Sequence, residues 1–187
     1  MAENSIFEAD GRSVSYVDEG PGPVALVLIP GVGMDGGALG SIGHYLAEEA
    51  GFRVLRIGAR SEDSTVAERV EDALAVMDHV GLEDAWIGGH GAGGTVARAF
   101  AGAHTDRVNG LLLLGVEEND APLAPAIPIL IIQGTADVVT PPANGEALQA
   151  TATDRASITS IPGADHFFPM THPIETAVVI EEYLDWD

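Results

Sequence analysis

Two short alternating runs, Ile6–Ala9 and Ser13–Tyr16, flank Asp10-Gly11 near the start of the chain. That pattern predicts an antiparallel hairpin. Val24–Ile29 differs, being a continuous apolar run that stops at Pro30-Gly31, as befits a strand covered on both faces. Beyond it, apolar strands alternate with amphipathic helices. The predicted helices are Ala38–Ala50, Thr65–Val80, Thr95–Ala103, Gly145–Thr151 and Pro173–Leu184, and the predicted strands are Phe52–Ile57, Ala85–Ile87, Val108–Leu114, Ile129–Ile132 and Ser157–Ile161. This order predicts an α/β fold with a doubly wound, mostly parallel sheet.

Within Thr65–Val80, the residues Val66, Val70, Ala73, Leu74 and Met77 form one stripe, with Glu68, Arg69, Glu71 and Asp78 elsewhere; the stripe is read as core. No repeat with a period of about 20 to 50 residues is visible. The one linker-like stretch, Glu117–Pro128, holds three prolines and several acids.

With 187 residues, 46% of them hydrophobic, the chain suits one domain over residues 1–187. No apolar run reaches about 18 residues, and Met1–Ser5 lacks the basic and apolar regions of a signal peptide. A cytoplasmic location is therefore expected. The absence of cysteine excludes disulfides, thiolate nucleophiles and zinc-thiolate sites. The net charge is −21, all eight basic residues being arginine, which disfavours nucleic acid and anionic membranes as partners. A homodimer is left open.

Functional groups of parallel α/β sheets gather at the carboxyl ends of the strands. Ala85–Ile87 is followed by Gly88-Gly89-His90-Gly91-Ala92-Gly93-Gly94. In the frame G-x-S-x-G, Gly89 and Gly93 fill the glycine positions and Gly91 stands where serine would be. Ile129–Ile132 runs into Gln133-Gly134-Thr135-Ala136-Asp137, and Ser157–Ile161 into Pro162-Gly163-Ala164-Asp165-His166.

In these ordered landmarks the chain resembles the α/β-hydrolase superfamily, as a small esterase-like member without a cap domain. The resemblance implies that Gly91 holds the nucleophile position, with the serine missing, that Asp137 is the triad acid and that His166 is the general base. It also implies that the backbone N–H groups of Val32 and Ala92 form the oxyanion hole. No cofactor or metal is implied, and the expected ligand is a small acyl or ester molecule in an open pocket. His90 is expected to pack beside the turn. His44, His79 and His104 are expected on the surface, and Glu117, Glu118, Asp120 and Asp165 in solvent.

Three readings follow. The first is a carboxylesterase-like hydrolase, weakened or inactivated by loss of its nucleophile. A second is a non-catalytic protein that uses the same pocket to bind a ligand or partner. The third is a dinucleotide-binding domain, because Gly89, Gly91 and Gly94 satisfy G-x-G-x-x-G and Glu117 follows where a ribose-binding acid would lie. Against the third stand about 85 preceding residues that already form strands and helices.

Overall fold

The computed structural model describes residues 4–31 and 36–185. The hairpin consists of β1 (Ser5–Ala9) and β2 (Arg12–Glu19), paired antiparallel. Asp10 and Gly11 turn between them at φ 54° and 77°, the pair of positive angles that a two-residue hairpin turn needs. The other strands are β3 (Ala25–Ile29), β4 (Arg53–Ile57), β5 (Ala85–His90), β6 (Val108–Leu114), β7 (Ile129–Gly134) and β8 (Ala156–Ile161). They form one eight-stranded sheet in the order β1-β2-β4-β3-β5-β6-β7-β8. β2 meets β4 antiparallel, and all pairings from β4 through β8 are parallel.

The continuous apolar runs are explained by the pleat, which sends alternate side chains to opposite faces. Val27, Leu111, Leu113, Ile129 and Ile131 enter one core with α2 (Val66–His79) and α3 (Ala92–Ala103). Leu26, Leu28, Leu112, Leu114, Leu130 and Ile132 enter the other with α1 (Gly40–Glu48) and α6 (Pro173–Leu184). The remaining helices are α4 (Pro142–Ala150) and the one-turn α5 (Phe168–Thr171), the latter absent from the sequence reading. Thr65 caps α2 through a reciprocal capping box with Glu68, which satisfies two otherwise orphaned N–H groups.

The α2 stripe needs correction. Val66 is exposed and Leu74 only half-buried, whereas Arg69, Asp72 and Val76 are buried. Asp72 is tolerated inside because Arg60 grips both its oxygens and Arg12 approaches at 3.1 Å. Arg69 crosses to the carbonyl of Pro30 at 2.7 Å. Residues 117–128 contain no helix or strand, consistent with the expected absence of a cap. Arg98 holds this stretch at the Ala121 carbonyl, and Arg155 at those of Ala124 and Ile127.

Candidate active site

The winding of the sheet reverses between β3 and β5, and a ligand crevice in such folds opens at the carboxyl ends there. β5 passes through Gly91 directly into α3, whose first helical residue is Ala92 instead of the expected Thr95. Gly91 has φ 55° and ψ −116°, a conformation that strains any L-residue and costs glycine almost nothing. Its N–H donates to the Leu114 carbonyl at 2.9 Å, tying the turn to β6.

The two flanking glycines are demanded by close approach. A Cβ at Gly89 would lie 2.1 Å from the Gly93 carbonyl carbon, and one at Gly93 would lie 2.1 Å from the Ile29 oxygen. Gly91 is different, since a Cβ there would meet only the His166 ring, 3.4 Å from Cε1 and 3.5 Å from Nε2. A hydroxymethyl group would therefore fit, with its oxygen in reach of Nε2.

Asp137 follows β7 and His166 follows β8, and β7 and β8 are neighbours. His166 Nδ1 donates to Asp137 Oδ2 at 3.0 Å, which leaves Nε2 as the acceptor facing Gly91. Thr140 completes a triangle. Its hydroxyl donates to Asp137 Oδ2 at 2.7 Å and lies 2.9 Å from His166 Nδ1, while its N–H donates to Asp137 Oδ1 at 2.8 Å.

Burial alone would push the Asp137 carboxyl up. The hydrogen bonds from Thr140 and His166 outweigh it and hold the group below its ordinary value; they favour the charged form. Gly115, at φ 68°, packs against the triangle, where a Cβ would come within 2.6 Å of Thr140 Oγ1. Gln133 joins the two loops behind it, donating to the Thr140 carbonyl and accepting from Val116 N–H.

His90 lies fully buried under His166, the rings stacked with centroids 4.4 Å apart. Its Nε2 donates to the His166 carbonyl at 2.7 Å. Burial, reinforced by the neighbouring imidazole, pushes its pKa down to about 4, so this ring is neutral at pH 7.

The Ala92 N–H belongs to the first turn of α3, where it has no acceptor within the helix. It stands at the positive end of that helix. Val32, the other expected oxyanion donor, lies outside the described residues. Glu117 departs from its expected solvated state, for it is half-buried and accepts from the Thr95 hydroxyl at 2.6 Å. With Gly91, Gly94, Thr95 and Arg98 it lines a void too small to admit a water molecule. A larger hollow, of about 380 Å³, opens at the opposite, amino-terminal ends of β3, β5 and β6 around Val24, Trp86 and Asn109. The candidate chemistry sits instead at the carboxyl end of β5, where Asp137 and His166 converge on the glycine turn.

Sequence reasoning missed Thr140, Gln133 and Gly115. Thr140 carries a faint local signal, a hydroxyl three residues after Asp137 where it can close a turn onto the carboxylate. No local pattern marks the other two.

Among solved structures, an esterase from Thermogutta terrifontis in a malate-bound form is 20% identical with a TM-score of 0.85, covering 98% of each chain. Est1E from Butyrivibrio proteoclasticus is 17% identical with a TM-score of 0.81, covering 97% of each. A Paraburkholderia phymatum 2-hydroxy-6-oxononadienedioate/2-hydroxy-6-oxononatrienedioate hydrolase is 35% identical over 115 residues, 54% of this chain. The match spans 39% of that relative's length. The model of the alpha/beta hydrolase family matches residues 25–168, so this chain belongs to the alpha/beta hydrolase family.

Proposed function

We propose that the protein carries a serine-esterase-type site for carboxylic esters in which Gly91 occupies the nucleophile position. The observation that carries this reading is the line from Asp137 through His166 to Gly91. The carboxylate holds Nδ1 at 3.0 Å, and the opposite ring nitrogen lies 3.5 Å from where a side chain at residue 91 would begin. Asp137 orients the imidazole and stabilises the imidazolium that forms when Nε2 takes a proton. The Ala92 N–H stabilises negative charge on the acyl oxygen, and Val32 is proposed as its companion.

Without a hydroxyl at residue 91, no acyl-enzyme can form there. The remaining route is direct hydrolysis. Water attacks the acyl carbon while His166 removes its proton, and the same proton is returned to the departing alkoxide. This route is slow and needs an activated ester; hydrolases stripped of a triad member keep about 10³–10⁴-fold acceleration over water.

The test is Gly91→Ser. Turnover of a short p-nitrophenyl ester is expected to rise by on the order of 10² or more, and His166→Ala in that background to remove most of the gain. Serine at this backbone conformation costs about 1–3 kcal/mol, so a thermal melt accompanies the assay. A folded variant with no gain overturns the esterase reading.

A binding role without turnover is the second reading, and the same residue favours it, because glycine relieves the strain of the turn while deleting the attacking oxygen. The dinucleotide reading draws no comparable support, since Glu117 is engaged by Thr95 and the glycine cluster is accounted for by the tight turn.

A further inference from the structure

The connection from β6 to β7 leaves part of one sheet face thinly covered. Residues 115–128 hold neither helix nor strand, where a parallel crossover usually lays a helix on the sheet. Val96, Ala97 and Phe100 of α3 belong to the core on that face, and Leu123 and Leu148 of α4's side pack against it. A hollow of about 410 Å³ remains there, lined by Pro122, Leu123 and Leu148 together with Arg98 and Arg155. We propose that this hollow, away from Asp137 and His166, is a binding site for a small monocarboxylate with a short apolar tail.

The two arginines carry the inference. Arg98 is 4% exposed and donates to the Ala121 carbonyl through Nη2, while its buried Nε meets no acceptor among the described residues. Arg155, half-buried, donates through Nη1 to the carbonyls of Ala124 and Ile127. Among the described residues neither forms an ion pair, whereas Arg12, Arg53 and Arg60 each hold a carboxylate. Burial alone pushes the Arg98 pKa down, a change that a bound anion reverses. Tying down residues 121–127 explains the carbonyl bonds, which a neutral amide could also donate. It does not explain two guanidinium charges in one hollow without a counter-ion, an arrangement that costs stability until an anion arrives.

Placement separates this hollow from the ester site. Arg98 lies in the middle of α3, and Arg155 enters β8 at the end opposite to the one from which His166 follows. The class of ligand comes from the lining. A guanidinium fork matches the two oxygens of a carboxylate, and Pro122, Leu123 and Leu148 offer an apolar wall to a hydrocarbon tail. Asp120 stands exposed on the rim, and its like charge disfavours a dianion such as a phosphate monoester. The volume falls within the range of small-molecule sites, roughly 300–1,000 Å³.

The experiment titrates the unsubstituted chain with hexanoate, hexanamide and hexyl phosphate while the Leu123 and Leu148 methyl and the Arg98 and Arg155 Nε–H NMR signals are followed. Hexanoate is expected to shift these signals saturably in the millimolar range or tighter. Hexanamide, the same chain without the charge, is expected to bind at least about tenfold more weakly. Added salt is expected to weaken hexanoate and leave hexanamide unchanged. Arg155→Gln is expected to weaken hexanoate by about tenfold or more, and Asp120→Asn, at an exposed position, to tighten it severalfold; thermal melts of both variants accompany the titrations. Equal binding of hexanamide, tighter binding of hexyl phosphate, no saturation by hexanoate, shifts confined to His166 and Phe167, or unchanged hexanoate affinity in either variant when folded overturns the proposal.

Discussion

Thr140 shows how much one hydroxyl can contribute to a charged pair it does not belong to in sequence. It supplies two of the hydrogen bonds that hold the Asp137 carboxyl below its ordinary value. A depressed carboxyl stabilises the fold above its unfolded pKa, and that contribution is lost as pH falls through the folded value. Thr140→Val removes the hydroxyl donor and is expected to move the Asp137 titration upward, read by carboxyl ¹³C NMR, at a cost of about 1.5–3 kcal/mol. Thr140→Ser is expected to restore both. His90 acts at higher pH than Asp137 and as a base held neutral by burial. Its imidazole is depressed from 6.5 to about 4, so between those pH values the unfolded chain takes up a proton that the folded one refuses. Stability is therefore expected to fall as pH drops through this window, by on the order of 3 kcal/mol in full. His90→Gln, which keeps a donor for the His166 carbonyl without titrating, is expected to flatten that part of the denaturation-midpoint profile. Asp137 and His166 were legible in the sequence because each follows a strand in a fixed order. Arg69 was not, because its polar label hides a long reach to the Pro30 carbonyl that exists only once α2 joins the core on that face of the sheet.

At the scale of elements, the strands were legible to within a few residues, because burial on both faces leaves unbroken apolar runs such as Leu111–Leu114. The start of α3 was placed late. Glycines at 91, 93 and 94 read as loop by propensity, yet the elbow uses them for different reasons: backbone occupies the space a Cβ at Gly93 would take, whereas Gly91 is needed for its positive φ. This gives a contrast between two glycines close in sequence. Gly89→Ala is expected to destabilise by about 3 kcal/mol or more, since its Cβ would strike backbone that cannot yield. Gly102→Ala, near the exposed end of α3 with nothing within 4 Å of its Cβ, is expected to stabilise by up to about 1 kcal/mol. Chemical denaturation of the two variants checks both signs. Equal effects would contradict the packing explanation of the elbow. The α4 start was also late, at Gly145 instead of Pro142, although proline is well suited to a first helical turn.

For the whole molecule, the sheet brings residues far apart in sequence to one edge. Gly91, Asp137 and His166 leave β5, β7 and β8 at their carboxyl ends, and the loop that follows β6 packs between them through Gly115. No helix among the described residues is long and apolar enough to cross a membrane. The high negative charge spreads over this framework, with Asp72 as a buried exception that two arginines neutralise. We propose that this framework is poised around residue 91 for a nucleophile that Gly91 does not supply. Peptide mass mapping after exposure of Gly91→Ser to a fluorophosphonate tests it most directly, because the adduct forms only on a hydroxyl activated by a neighbouring base. The expected result is near-stoichiometric addition at residue 91, lost when His166 is also changed to Ala and absent from the unsubstituted protein. A folded Gly91→Ser chain that stays unmodified at residue 91 would contradict the account.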